Sequence, residues 1–506
     1  MNVVYDVGSW RLTDDGRIYR QGKLRFANGD IYDGEWLDGK RQGRGTFTYV
    51  NGTQYHGEFD TNLFHGFGAI RVPDMEHPLT KEWIKGSSFE GHFLKGRKHG
   101  KGTLVNGDGS SYDGNFLDNV YSGHGVYCYA NGDRYEGEWR YGKYWGQGLL
   151  TYRDGGSYAG EFQNGHFHGF GTRTFPRHLG SYTGTYRYGI HHGSGVRVFA
   201  DSSQYEGEWK NNKMHGTGVW TTEKFIYIGD FANGQPHGNG VFRYENGDIY
   251  EGQVHSGYMY GKGKYTYKDG SYYDGEYIAV RIHHKTILPA PNNKRHGKGI
   301  RVWTSGSKYE GEWSNDVMHG KGALTSQVEG LLVEYIGTFR NGQQTGDGEL
   351  TFIKTTSGKT EFPFGSGNFH YGKGTCKYIG SFFMGEFHGL GHFIMTDGRY
   401  FKGEWSHGKR HGQGEAQYIP LAERGNEKRN FISGKDALYR MDKYIGQFEN
   451  DIRHGHGILY YSNGESIEGN FVNGHIDGVA IYTYTTKKTR QGRWYRGTRM
   501  AWEDEE

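Results

Sequence analysis

The chain has 506 residues and carries 60 Lys and Arg against 57 Asp and Glu, a formal charge of +3. That balance excludes nucleic acid as the main partner, because neutralising phosphates needs a basic surplus. Glycine supplies 88 residues and proline only 8, with 34% hydrophobic and 16% aromatic residues, which excludes collagen and proline-rich disorder and requires any apolar core to be built mainly from rings.

Residues 1–31 read as a degenerate first repeat and cap. From Tyr32 a triplet recurs: Tyr32-x-Gly34-x-Trp36, Tyr55-x-Gly57-x-Phe59, Tyr135-x-Gly137-x-Trp139, Tyr205-x-Gly207-x-Trp209, Tyr309-x-Gly311-x-Trp313, and onward to Tyr444-x-Gly446-x-Phe448. Most intervals are 23 residues, and a fixed period of that size means one supersecondary unit stacked many times. In the first full unit Tyr32, Gly34 and Trp36 fall on one face of an extended run, while Asp33 and Glu35 fall on the other. A second extended run, Gly45 to Tyr49, is closed by Asn51-Gly52. Asn-Gly between alternating runs is a strong hairpin signal, in which both central residues need positive φ. It recurs at Asn28-Gly29, Asn131-Gly132, Asn246-Gly247 and Asn463-Gly464, with Asp-Gly at Asp154-Gly155, Asp269-Gly270 and Asp397-Gly398. The unit is a β-hairpin, and the fold class is all-β.

Seven residues after each start, eleven of the first seventeen units have Gly and five have Asn or Asp, the residues that tolerate a left-handed backbone. Eleven residues after each start glycine stands in all seventeen, counting past the interruption in one of them. Gly43, Gly66, Gly100, Gly146, Gly216, Gly320 and Gly412 are read from this position as turn glycines. The middle glycine of the triplet is expected to leave room for rings from neighbouring strands to lie across the backbone. The candidate structural residues are an aromatic ladder, represented by Tyr32, Trp36, Tyr55, Phe59, Tyr135, Trp139, Tyr205, Trp209, Tyr309, Trp313 and Trp405. On the opposite face the second and fourth positions are each acidic in nine of eighteen units. They are expected to pair with Arg44, Lys101, Lys262, Lys298 and Lys321, at roughly 0.2–1 kcal/mol per cross-strand pair.

These residues resemble the MORN (membrane occupation and recognition nexus) repeat family, whose pattern is similar to YxGxWxxGxxHGxGxxxxxxG, over roughly residues 32 to 494. The departures are local: Phe89, Phe401, Ile467 and Arg490 replace the leading tyrosine, and Val254 replaces the fifth-position aromatic. The resemblance implies an elongated, twisted, single-layer antiparallel sheet of tandem hairpins, solenoid-like, used for scaffolding, dimerisation or membrane attachment. At ~4.8 Å per strand, seventeen units would span on the order of 160 Å.

The repeats divide into 32–279 and 296–494, with insertions near 72–84, 280–295, 354–371 and 419–438 and an acidic tail at 495–506. Insertions in such arrays map to loops; Phe369 to Gly374 has the flavour of a hidden unit. Eleven of seventeen units place a histidine just before the glycine of the eleventh position, as in His65, His99, His168, His215, His319 and His454. Successive imidazoles would sit roughly 9–10 Å apart, too far to share a metal at ~2 Å per ligand. Gly358 to Thr360 mimics a phosphate loop but has Ile353 where the motif needs glycine. Cys128 and Cys376 are the only cysteines and offer neither a disulfide framework nor metal spacing, which fits a reducing compartment. No apolar run approaches the ~18 residues of a membrane span, and Met1 to Trp10 lacks a signal pattern.

Taken with the resemblance, these features lead to the expectation of a non-enzymatic scaffold without cofactor, in the cytoplasm and cytoskeleton. The most similar designs belong to the radial spoke heads of ciliary and flagellar axonemes and to protist cytoskeletal collars. Other axonemal or cytoskeletal proteins are the expected partners, with a homodimer also expected from the family. An alternative is a scaffold bound to acidic phospholipid through the basic turns Lys40-Arg41, Arg97-Lys98 and Lys409-Arg410.

Overall fold

The computed structural model describes residues 3–77, 79–279, 293–328, 331–354, 375–396, 398–418 and 441–505. Among them there is no α-helix, only strands and two short 3-10 turns at Pro176–His178 and Glu503–Glu505. The chain divides into two compact units, Met1–His237 and Gly238–Glu506. Within each, consecutive strands pair antiparallel.

The alternation of Tyr32 to Trp36 becomes the strand Ile31–Leu37, which pairs with Lys40–Thr48; the next hairpin is Gln54–Asp60 with Leu63–Arg71. Residues 1–31 contain a hairpin of their own, Val3–Leu12 with Ile18–Phe26. In the described repeat hairpins from Tyr32 onward the internal turn holds two residues, both with positive φ: Asp38 and Gly39 (48° and 74°), Thr61 and Asn62 (47° and 70°), Tyr141 and Gly142 (51° and 74°). This is the two-residue I′ turn whose twist matches that of the flanking strands.

The Asn-Gly turns between hairpins differ from expectation. Only the glycine is left-handed, at 85° for Gly52 and 94° for Gly132. The Gly52 N–H donates to the Tyr49 carbonyl at 2.9 Å, and the Tyr49 N–H to the Thr53 carbonyl at 2.8 Å. That is a three-residue loop, a type I turn followed by a left-handed glycine. Asparagine is chosen for its side chain, whose oxygen accepts the N–H two residues on, as Asn51 does from Thr53 at 3.0 Å. The residue two after several of these asparagines ties one turn to the next: Asp30, Asp133 and Asp248 accept from the N–H of Val50, Arg153 and Lys268 at 2.8–2.9 Å.

The insertion near 72–84 is a miniature ribbon, Met75–Glu76 with Trp83–Ile84, its base clamped by Asp74 against Lys85 at 2.9 Å and Gly86 N–H at 2.8 Å. The sheet continues past it, Leu63–Arg71 pairing directly with Ser88–Leu94. Within the stretch expected to be an acidic tail, Thr498–Trp502 pairs with Thr489–Tyr495, and Arg490 binds Asp504 at 2.7 Å. Trp502, 4% exposed, closes the ring face there, flanked by Arg490 and Arg499 at 4.6 and 4.5 Å. The other insertions, the Gly358–Thr360 stretch and Phe369 to Gly374 lie wholly or mostly outside the described residues.

Candidate functional site

The repeated face is the feature any function must use. Its foundation is a row of glycines in register from strand to strand: Gly34 faces Gly45, Gly45 faces Gly57, Gly57 faces Gly68, and Gly68 faces Gly91 across the insertion. The leading tyrosine lies flat on this row. A Cβ placed on Gly148 would meet the Tyr135 hydroxyl at 2.5 Å, and one on Gly137 would meet the Gly148 Cα at 2.5 Å. The ring above the middle glycine thus belongs to its own triplet, and it also spans the glycine of the next strand. Tyr32, Tyr55, Tyr135, Tyr205 and Tyr309 are completely buried. Ala480 is the exception in the row, facing Gly469; the leading residue of that hairpin is Ile467, so no ring occupies the space its methyl needs.

The fifth-position aromatics link the tyrosines edge to face. Tyr32 contacts Trp36 and Phe59 at 4.8 and 4.9 Å, and Tyr55 contacts Phe59 and Phe93 at 5.1 and 5.2 Å. In the first unit the chain of rings runs unbroken to Tyr205, Phe231 and Tyr227; in the second, Tyr309–Trp313 and Phe401–Trp405 continue the pattern at 5.1 Å. Tryptophan adds a hydrogen bond: Trp139, Trp209 and Trp313 donate their indole N–H to the row glycines Gly125, Gly195 and Gly299 at 3.0–3.1 Å.

The glycines eleven residues after each start lie inside the second strand, not in the hairpin turn. Gly43, Gly66, Gly100, Gly146, Gly216, Gly320 and Gly412 all have φ between 56° and 66° and form a β-bulge. Opposite Gly66, for instance, the register jumps from Gly57–Gly68 to Glu58–His65. A bulge disrupts the ladder, and the hairpins led by tyrosine repair it with their own side chains. Tyr135 donates to the Glu138 carbonyl at 2.8 Å, and Tyr55 to those of Glu58 and His65 at 2.8 and 3.4 Å. The fourth-position carboxylate accepts the amide just past the bulge, Glu138 from Gln147 at 3.0 Å and Glu208 from Thr217 at 2.9 Å. These acids therefore cap backbone rather than pair with Arg44, Lys101 or their equivalents. The ion pairs on that face involve other groups, such as Glu349–Lys377 at 2.7 Å.

A position the sequence reading missed, nine residues after each start, forms a second storey over the tyrosine. Phe64 stacks on Tyr55 at 3.8 Å, Tyr144 on Tyr135 at 3.7 Å and His191 on Tyr182 at 3.7 Å. Arg41, Lys98 and Arg410 occupy the same slot, which corrects the basic-turn reading for three of its six residues. Arg41 lies 4.6 Å from the Phe47 ring and donates to the Asn62 carbonyl at 2.8 Å; Lys98 lies 4.9 Å from Phe89. Arg410, 7% exposed, is bound by Asp451 at 3.2 Å. Lys40 and Arg97 remain exposed at the edge, with Lys409 partly so. Because the cations are interchangeable with Phe, Tyr and His there, the slot selects flat or long side chains that cover a ring.

Burial raises the hydroxyl pKa of the leading tyrosines, Tyr335 to about 12, so they remain donors at any ordinary pH. Burial, then the nearby Arg197 and Arg173, push His191 down to about 4. The histidines before the bulge glycine serve through their carbonyls, His215 and His319 accepting from Tyr205 and Tyr309 at 3.2 and 3.3 Å. Among the described residues no three His, Cys, Asp or Glu side chains converge as a metal site, and no helix is long and apolar enough to cross a membrane.

The MORN repeat family matches sixteen segments between residues 32 and 489, covering more than half of the chain. The chain is 37% identical over 78 residues to MORN repeat-containing protein 3 of Xenopus laevis, covering 15% of this chain and 31% of that protein. It is 32% identical over 109 residues to Alsin of Mus musculus, 18% of this chain and 6% of Alsin. It is also 32% identical over 104 residues to the ALS2 C-terminal-like protein of Homo sapiens, 17% of this chain and 11% of that protein. The matched stretch is thus under a third of the length of each relative. Repeat for repeat, this chain belongs to the MORN-repeat family.

Proposed function

We propose that the protein is a non-enzymatic scaffold of a cytoskeletal assembly, placed in a ciliary or flagellar axoneme, where it presents binding surfaces to other proteins at fixed spacing. MORN repeats mark protein-interaction or membrane-binding scaffolds. The observation that carries the reading is what each hairpin does with its reactive groups. The tyrosine hydroxyl is engaged by the fourth-position carbonyl and the fourth-position acid by the bulge amide, as in Tyr135, Glu138 and Gln147. The same acid-to-amide bond recurs at Glu35, Glu161, Glu208 and Glu404, so these carboxylates are held by backbone. The likeness of the tandem design to radial spoke and cytoskeletal collar proteins supports the axonemal placement. Attachment to acidic lipid is the weaker alternative, because Arg41, Lys98 and Arg410 lie over rings. Fractionation tests the proposal: the protein is expected to stay with detergent-extracted axonemes, and its release with soluble or membrane fractions would contradict it.

A further inference from the structure

One place in the first unit departs from the neutral pattern. Arg173 and Arg197 occupy equivalent positions in the strands His166–Thr174 and Ile190–Val198, each directly opposite Tyr182. Their guanidinium carbons lie 4.9 and 3.9 Å from the centroid of a single ring, Phe175. Tyr152 flanks Arg173 at 5.9 Å, and Phe199 flanks Arg197 at 5.4 Å. Two like charges therefore converge within one aromatic cluster.

No carboxylate of the described residues pairs with either. Arg197 gives one N–H to the Leu179 carbonyl at 3.3 Å, while its Nη1 is buried without a partner. The acids on the flanking turns are engaged by their own backbone: Asp154 accepts from Gly156 N–H at 3.0 Å, and Asp201 from Ser203 N–H and hydroxyl at 3.0 and 2.6 Å. The connection after this strand is also unusual. Arg177 and His178 both have positive φ, 54° and 61°, and both are exposed. Arg177 follows Phe175 by two residues, so the same connection carries a third cation.

We propose that Arg173 and Arg197, with the exposed Arg177 on the adjoining connection, bind a carboxylate-rich segment of a partner protein, the carboxylates on the guanidiniums and the intervening apolar groups on Tyr152, Phe175 and Phe199. Guanidinium presents paired donors that match a carboxylate, and the arginines are already held in place by the rings. A peptide fits better than a bilayer because the neighbouring turn tips carry exposed Asp154 and Asp201, which an acidic membrane would meet first. The inference rests on the protein-scaffold reading but is tested on the purified chain, so cellular placement and peptide binding fail separately.

The test is fluorescence anisotropy of labelled decaglutamate with the full-length protein at low salt. Arg173→Gln combined with Arg177→Gln is expected to weaken binding at least about tenfold with an unchanged far-UV circular dichroism spectrum, while Lys321→Gln leaves it within about twofold. Failure of decaglutamate to bind the native chain would overturn the proposal. So would equal weakening by Lys321→Gln, or Arg173-dependent binding of phosphatidylserine vesicles in place of the peptide.

Discussion

The hydroxyl of Tyr135 shows how one atom decides the chemistry of a repeat. The bulge at Gly146 leaves the Glu138 carbonyl in need of a donor, and the hydroxyl supplies it at 2.8 Å. Tyr135→Phe should leave a buried carbonyl unpaired and destabilise its hairpin by about 1–3 kcal/mol. Phe401 stands where that tyrosine belongs, against the Gly403 and Gly414 backbone, so Phe401→Tyr should restore the missing bond and stabilise by about 1 kcal/mol. Hydrogen exchange of the two hairpins checks both signs; protection that falls or rises in both variants alike would contradict the account. The need for tyrosine and for glycine was legible in the sequence as recurrence across units, but their reason was not, since the hydroxyl and the bulge meet only after the hairpin closes. The slot holding Arg41, Phe64, Lys98 and His191 was illegible because four unlike chemistries share one shape requirement.

At the scale of the hairpin the two turns exchange their expected roles. The pattern Asn51-Gly52 announces a turn, yet the I′ geometry belongs to the internal turn, where Thr61, Tyr141 and Tyr188 adopt positive φ despite having unremarkable sequences. There the strand twist fixes the backbone, and Gly, Asn or Asp at the second position is enough. The hairpin Ser181–Arg187 with Ile190–Val198 carries a pH dependence of its own. His191 titrates at about 4 when folded, against 6.5 as a free side chain, with burial the main cause. Above 6.5 it is neutral in both states and costs nothing. As pH falls from 6.5 towards 4 the unfolded hairpin takes up a proton that the folded one refuses, so stability is lost across that window. His191→Phe, which copies Phe167 of the preceding unit, should remove the loss. Exchange of residues 181–198, corrected for intrinsic rates at each pH, measures it; an equal acid sensitivity in native protein and variant would exclude His191 as the cause.

For the whole molecule, the period of 23 residues made the all-β repeat legible from Tyr32 onward. The miniature ribbon at Met75–Ile84 and the closing strand Thr498–Trp502 were not legible, because each occurs once and repetition carried the signal. An array held by contacts between neighbouring hairpins has stability that is nearly a sum of local terms. Within the first unit, the glycine row beneath the tyrosines holds each hairpin to the next. The direct measurement is hydrogen exchange along the full chain carrying Gly148→Val, whose side chain would collide with the Tyr135 ring and hydroxyl at 2.5–2.8 Å. Protection should be lost in the strands Arg134–Arg140, Lys143–Thr151 and Ser157–Gln163, with distant repeats unchanged. Native protection in those three strands would contradict it.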